Sequence, residues 1–311
     1  MAGQGDSTRA IFFALGANFA IFVAKLAAAL VTGSGAMMAE AVHSLADCGN
    51  QILLLFGMRQ AKKPPSPDYP LGYGKAVYFW SFLVALMLFS VGGMFSLYEG
   101  WHKLHEDQLL TSPWIAVGVL VFSIIVESVS MRACMVEVNK ARGDRSLWQW
   151  FRSTRQVELV VIFGEDLAAL LGLMLALVAV VMSMLTGNPV WDAIGTLAIG
   201  ALLVIVAVFI SVEVKAMLIG QSVEPHTRQQ MREFLEQRPE IEKLYNLLTL
   251  QLGNDVMVSI KAKMQGEKSA VGMIGQINAI ERELKRHFPE VRFSFFEPDV
   301  DDADEAEIVA Q

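Results

Sequence analysis

The chain has 311 residues, of which 54% are hydrophobic and only 18% are charged, and its mean hydropathy is +0.43. Soluble domains carry about 25% charged residues, so this chain has too little polar surface to cover itself in water, and its composition predicts a membrane protein. The two cysteines lie in apolar runs, which excludes a disulfide scaffold. The net charge is −7 and no basic patch lies among aromatic residues, so no nucleic-acid partner is expected.

Six apolar runs are long enough to cross a membrane, since a spanning helix needs roughly 17–25 residues. They cover residues 10–32, 36–58, 77–100, 113–135, 157–184 and 190–214. The loops near 59–75 and 132–155 are rich in lysine and arginine, whereas the alternate loops contain only Lys103. By the positive-inside rule, both basic loops and both termini face the cytoplasm. Residues 1–215 are therefore predicted to form a six-helix transmembrane domain.

The second span concentrates ionisable residues, which are costly inside a membrane and are therefore functional candidates. Steps of three and four residues place Glu40, His43, Asp47 and Asn50 on one stripe of this helix. His43 and Asp47 are four residues apart, so both can bind one metal ion from adjacent turns. An imidazole with a carboxylate suits zinc. The alternative is a buried hydrogen bond between His43 and Asp47 without a metal.

The fifth span adds two adjacent carboxylates, Glu165 and Asp166. Adjacent helical residues are about 100° apart around the axis, so the two side chains cannot both face one point squarely. We expect one of them to meet the pair on the second helix and the other to face a water path or a neighbouring group. Lys25 and Asn18 in the first span and Glu127 in the fourth have two open interpretations, interhelical pairing or a role along a transport path.

After residue 215 the pattern becomes that of a small soluble domain. Pro225 begins a helix, two alternating segments around Gly253-Asn254-Asp255 predict a β-hairpin, Ser269 can cap a second helix, and residues 291–297 predict a strand. The expected apolar positions are Leu248, Leu250 and Leu252 on the first strand and Ile274, Ile277, Ile280 and Leu284 on the second helix. Residues 216–298 are thus predicted to form a cytoplasmic αββαβ domain of the α+β class, with helices on one face of an open sheet.

A run of acidic residues closes the sequence. Seven acidic residues and no basic residue lie between Glu297 and Glu307. Such a run is typical of a solvated segment, so residues 299–311 are predicted to be an acidic, disordered tail.

Together these features resemble the cation diffusion facilitators, a family of homodimeric, proton-coupled exporters of divalent metals. The resemblance rests on the six-helix topology, the segment His43-Ser44-Leu45-Ala46-Asp47, Asp166 and the αββαβ domain. The segments Glu40-Ala41-Val42-His43-Ser44, Tyr69-Pro70-Leu71-Gly72-Tyr73-Gly74 and Gly187-Asn188-Pro189 are most similar to the branch that contains the mitochondrial zinc transporter.

The resemblance implies a particular ligand set. The family's second-helix pair falls on His43 and Asp47, and its fifth-helix pair falls on Asp166 and on Ile162, which cannot bind a metal. A three-ligand site is therefore one possibility. In the other, a further group completes the site, and the candidates are Glu165, Glu40 and water.

The soluble domain departs from the family pattern. Many members carry a His-x-Asp-Pro ligand run where this chain has Phe295-Phe296-Glu297-Pro298. We therefore expect the domain to serve dimerisation rather than metal binding.

The sequence thus predicts a metal–proton antiporter that works by alternating access, without a cofactor or an enzymatic activity. His43 and Asp47 bind metal only when deprotonated, so protons and metal compete for them. Zinc is the expected substrate, while the carboxylates leave Mn²⁺, Fe²⁺ and Co²⁺ open. An intramembrane metalloenzyme is the first alternative, although His-Glu-x-x-His and Gly-x-Ser-x-Gly are absent from the sequence, and a carrier of organic cations is the second.

The expected partners are the metal ion, protons, the lipid bilayer and a second copy of the chain. The expected location is the bacterial inner membrane.

Overall fold

The computed structural model describes residues 3–105, 110–266 and 269–300. Within them, seven helices precede residue 220, and all except the short α5 are long enough to cross a membrane. The helices are α1 (Gly3–Thr32), α2 (Gly35–Ala61), α3 (Ala76–Lys103), α4 (Pro113–Arg142), α5 (Leu147–Ser153), α6 (Val157–Thr186) and α7 (Val190–Ile219). Each predicted membrane span is found as a helix, and the six-helix membrane architecture is confirmed.

Local chemistry explains where the membrane helices begin and end. α1 and α2 are joined through Gly33, whose φ of +71° suits a residue without a Cβ atom. Gly187, with φ of +64°, ends α6 in the left-handed conformation typical of a helix C-terminus. Pro113 opens α4, where a missing N–H costs nothing because the first turn has no partner for it.

The membrane helices differ in polarity. In the described part of the chain, α3, α4, α6 and α7 combine the length and the hydropathy of a span, and α1 contributes a shorter apolar stretch, Asn18–Thr32. α2 is 27 residues long and carries the polar stripe that includes His43 and Asp47. The buried side of α2 therefore brings polar groups, among them Glu40, His43 and Asn50, into the membrane unit.

The second basic loop contains more helix than expected. α4 extends to Arg142, and α5 follows it within the predicted loop. Trp150 of α5 is fully buried against Cys134, Val138 and Val160. Burial of this large ring stabilises a helix that is too short to persist on its own.

The start of α2 is held by Asp192 of α7. The buried Asp192 carboxylate accepts hydrogen bonds from Ser34 Oγ (2.5 Å) and from the Gly35 backbone N–H (2.6 Å). Lys103 Nζ donates to the Gly33 carbonyl oxygen at 2.9 Å. A carboxylate at a helix N-terminus satisfies otherwise unpaired N–H groups and meets the positive end of the helix dipole.

The chain divides into two compact units. The first comprises the described residues up to 58, 77–151 and 156–215, and the second comprises 59–76, 152–155 and the described residues from 216 onward. The second unit contains α8 (Pro225–Glu236), β1 (Ile241–Leu252), β2 (Asp255–Met264), α9 (Ala270–His287) and β3 (Val291–Pro298). β1 and β2 are antiparallel and β2 and β3 are parallel, in the order β1-β2-β3. The predicted αββαβ domain is confirmed, and Ser269 caps α9 by accepting from Gly272 N–H at 3.1 Å.

Two of the apolar residues expected on these elements, Leu248 and Ile274, are exposed. Leu248 is 57% exposed, because the register pairs it with Ser259, on the face opposite Val258 and Ile260. Leu247 pairs with Ile260, and both are fully buried. Ile274 is exposed in the early turns of α9, while Ile280 and Leu284 are buried in the core. Of the predicted acidic tail, residues 301–311 lie outside the described residues.

Candidate functional site

A cavity of about 260 Å³ lies among α1, α2, α4 and α6 in the membrane unit. Its polar lining residues are Asn18, Asp47, Gln51, Glu127, Ser130, Glu165 and Asp166, and its apolar ones are Leu54, Leu55, Met58, Ile162 and Ala169. Four of these are carboxylic acids, and they come from three different helices. Carboxylates inside a membrane unit are costly and mark ion or proton pathways.

His43 and Asp47 stand next to each other on α2 without a hydrogen bond between them. His43 Nδ1 lies 3.6 Å from Asp47 Oδ1, beyond the usual limit for a hydrogen bond. Both ring nitrogens of the buried His43 and Asp47 Oδ1 lack a hydrogen-bond partner among the described residues. Because buried polar atoms are almost always paired, these three require an explanation. The hydrogen bond between His43 and Asp47 that the metal-free alternative requires is not formed in the structure.

The adjacent carboxylates on α6 each have a partner on a different helix. Asn50 Nδ2 of α2 donates to Glu165 Oε1 at 2.5 Å, and Ser130 Oγ of α4 donates to Asp166 Oδ2 at 3.3 Å. Both carboxylates nevertheless line the one cavity. Glu165 therefore connects α6 to the polar stripe of α2, and Asp166 connects α6 to α4.

Ile162 lies one helical turn before Asp166 on α6, and both residues line the same cavity. Its side chain is 38% exposed. A ligand at position 162 would consequently border the space that Asp47 and Asp166 share.

Glu40 is placed differently from the other candidates. It does not line the cavity, and its Oε2 lies 3.1 Å from Lys25 Nζ, with both side chains completely buried. Lys25 Nζ also donates to Ser44 Oγ at 2.8 Å. A Cβ atom at Gly172 would approach Glu40 Oε1 to 2.5 Å, so glycine lets α6 pass close to this carboxylate. Two interpretations were open for Lys25, and the structure agrees with interhelical pairing, because Lys25 of α1 pairs with Glu40 of α2.

No group of three or more His, Cys, Asp or Glu side chains within residues 3–105, 110–266 and 269–300 is gathered closely enough to hold a metal ion. The structure brings Asp47, Glu165 and Asp166 to one cavity, with His43 beside Asp47, and it leaves Glu40 with Lys25.

Two cavity residues, Gln51 and Ser130, were missed by sequence reasoning. Gln51 lies four residues after Asp47, and Ser130 lies three residues after Glu127. The spacing that selected the stripe on α2 could have found both, had it been extended along α2 and applied to α4.

We expect the Lys25–Glu40 pair to be essential for stability. Lys25→Met should lower the free energy of unfolding by about 3–5 kcal/mol, because it leaves Glu40 buried without its counter-charge. The double variant Lys25→Met/Glu40→Gln should recover most of the loss. Thermal unfolding of the intact protein in detergent measures both effects.

The matched control is Lys140→Met on α4. Lys140 pairs with Glu137, but these side chains are 66% and 60% exposed, and an exposed pair contributes about 0–1 kcal/mol. An equal loss of stability in Lys140→Met, or no recovery in the double variant, would contradict the role assigned to the buried pair.

A family model described as the cation efflux transmembrane domain matches residues 11–219. The chain is 32% identical over 255 residues to the proton-coupled zinc antiporter SLC30A9, mitochondrial, of Xenopus laevis, covering 81% of this chain and 45% of that protein. It is 29% identical over 253 residues to metal tolerance protein C4 of Arabidopsis thaliana, covering 79% of this chain and 54% of that protein.

A more distant similarity extends over nearly all of the chain. It is 22% identical over 286 residues to the magnetosome protein MamB of Paramagnetospirillum magneticum (strain ATCC 700264 / AMB-1), covering 91% of this chain and 90% of that protein. By contrast, the chain spans only about half the length of the frog and plant relatives.

Proposed function

The chain belongs to the cation efflux family, and on this basis we propose that it exports a divalent metal ion, zinc, across a membrane in exchange for protons. The observation that carries the proposal is the cavity among the membrane helices, which Asp47, Glu165 and Asp166 line next to the unpartnered ring of His43. The names of the frog and plant relatives, a proton-coupled zinc antiporter and a metal tolerance protein, agree with this substrate class.

The proposed ligands are His43, Asp47 and Asp166, with Glu165 completing the site. The unsatisfied nitrogens of His43 and the Asp47 oxygen are donors of the kind that zinc prefers. Glu40 is a weaker candidate because Lys25 occupies one of its oxygens. Closure of α2 and α6 around the ion would bring the donors within ligand distance, and reopening towards the other side would release the ion.

Proton coupling follows from the chemistry of these ligands. Imidazole and carboxylate groups bind a metal ion only in their deprotonated forms, so metal binding displaces protons. A higher proton concentration on the receiving side therefore drives release of the metal there.

Zinc is favoured over the alternatives by the imidazole. Asp47, Asp166 and Glu165 supply oxygen donors, which also bind manganese, iron and cobalt. We therefore retain these three metals as proposed secondary substrates. The alternative of an intramembrane metalloenzyme is not supported, since the matching family is one of cation efflux and the relatives are named as an antiporter and a metal tolerance protein.

The proposed assembly is a homodimer formed through the second unit. Leu248 and Phe295 are 57% and 55% exposed, and the register places both beside Ser259, on the same face of the sheet. A second copy of the chain could cover this apolar face. The basic loops support an orientation with this unit in the cytoplasm, and we retain the bacterial inner membrane as the proposed location.

Flux measurements in proteoliposomes test the proposed function. The purified chain is reconstituted into vesicles that enclose a zinc-sensitive dye, and a proton gradient is imposed with the interior acidic. We expect zinc uptake that stops when an ionophore collapses the gradient, and a slower uptake of manganese. Protein-free vesicles give the background. Zinc uptake at the background rate under gradients of either sign would contradict the proposal.

A further inference from the structure

A second cavity, of about 390 Å³, lies in the second compact unit and is bordered by three arginines. They are Arg155, Arg228 and Arg232, and the other lining residues are Ser222, Val223, Pro225 and Gln229. No acidic side chain is among the lining residues in the described part of the chain. This cavity is separate from the one that Asp47 and Asp166 line.

The three guanidinium groups are fixed by contacts with the surrounding chain. Arg155 Nε donates to the Ser222 carbonyl oxygen at 2.7 Å, and its Nη1 donates to the Ser153 carbonyl oxygen at 2.8 Å. Arg228 Nη2 lies 3.4 Å from the Leu247 carbonyl oxygen, and Arg232 Nη1 lies 3.3 Å from Glu236 Oε1. A guanidinium has five N–H donors, so the contacts of Arg228 and Arg232 orient these two side chains without using their full capacity.

The beginning of α8 adds to the positive potential of this cavity. Pro225 is the first residue of the helix, and Arg228 and Gln229 follow one turn later. The N–H groups of the first turn and the helix dipole favour an anion at such a position.

The cavity also lies close along the chain to the ends of two membrane helices. Arg155 precedes the start of α6 at Val157 by two residues, and Ser222 follows the end of α7 at Ile219 by three. Phosphate groups are abundant anions, either in lipid headgroups or free in solution, and arginine binds them through two parallel hydrogen bonds. We propose that the cavity formed by Arg155, Arg228 and Arg232 binds a phosphate group.

Two probes distinguish the sources of that phosphate. The intact chain in neutral detergent is titrated with inorganic phosphate by calorimetry. In parallel, it is reconstituted into phosphatidylcholine nanodiscs with and without phosphatidylglycerol, and retained lipid is measured by mass spectrometry. Binding of inorganic phosphate identifies a site for free phosphate, whereas selective retention of phosphatidylglycerol alone identifies a lipid headgroup site.

Four variants decide whether the arginines form the site. Arg228→Gln and Arg232→Gln should each weaken binding about tenfold, the size of one charge-assisted hydrogen bond. Arg155→Lys keeps the charge but loses the planar fork, and should weaken binding while preserving the fold. The matched control is Arg282→Gln, an exposed arginine of α9 in the same unit, which should bind like the unmodified chain.

Elution volume and melting temperature establish that each variant is folded. The proposal is overturned if neither probe binds, or if Arg282→Gln weakens binding as much as Arg228→Gln does. It is also overturned if folded Arg228→Gln and Arg232→Gln both bind normally. None of these results depends on metal transport.

Discussion

His43→Ala and Asp47→Ala are each expected to reduce zinc flux in proteoliposomes to the background of protein-free vesicles. Changes in groups that only support a metal ligand cost about 10–100-fold, so loss of a ligand itself should cost at least about 100-fold. Folding should survive, because the nitrogens of His43 and Oδ1 of Asp47 have no hydrogen-bond partner that would be left unpaired. Expression, elution volume and zinc flux at saturating zinc measure the two parts of the prediction.

Cys48→Ala provides the control for these two variants. Cys48 is buried beside Asp47 in the sequence but does not line the cavity. Its removal tests whether any truncation in this turn of α2 stops transport. Wild-type flux in His43→Ala or Asp47→Ala, or background flux in Cys48→Ala, would show that the site has been assigned to the wrong residues.

Ile162→His is expected to increase the preference for zinc over manganese by about tenfold, the scale on which changes around a metal site act. The new imidazole would lie one turn from Asp166 and border the cavity, and nitrogen donors favour zinc more than oxygen donors do. It should also make Glu165→Gln less damaging than in the wild-type background, because the site would no longer need that carboxylate. The measurement is a double-mutant cycle of transport with both metals.

Met174→His on the same helix is the matched control for Ile162→His. Met174 and Ile162 are 41% and 38% exposed, but only Ile162 lines the cavity. The control separates the cost of a histidine on α6 from an effect on the ion. If Ile162→His changes neither the metal preference nor the penalty of Glu165→Gln, then position 162 does not face the ion.

The parts of the fold that depend on local patterns could be predicted from the sequence. A continuous apolar run indicates a membrane helix whatever its neighbours are, and the Gly253-Asn254-Asp255 turn and the Ser269 cap are equally local. The exposure of Leu248 could not be predicted in this way, since it depends on the pairing register with β2. α5 was missed because its stability comes from the burial of Trp150 against distant residues.

In the candidate site, too, the local features could be predicted from the sequence and the contacts between helices could not. The spacing of His43 and Asp47 is a property of one helix and could be recognised in the sequence. The bond between Asn50 and Glu165 joins residues 115 positions apart, and the pair of Lys25 and Glu40 depends on how α1 packs on α2. Periodicity shows which side chains share a face of a helix, but the helix opposite that face is decided by packing.

The anchoring of α2 at its first residue has a consequence for the geometry of transport. Asp192 binds Ser34 and Gly35, and Lys103 binds Gly33, so this end of α2 is fixed by hydrogen bonds. If α2 tilts, we expect it to pivot about this end. Asp47 lies twelve residues further on, about 18 Å along the axis, so α2 acts on it as a lever arm. A tilt of only about 10° would swing Asp47 by about 3 Å, enough to make or break a contact with an ion.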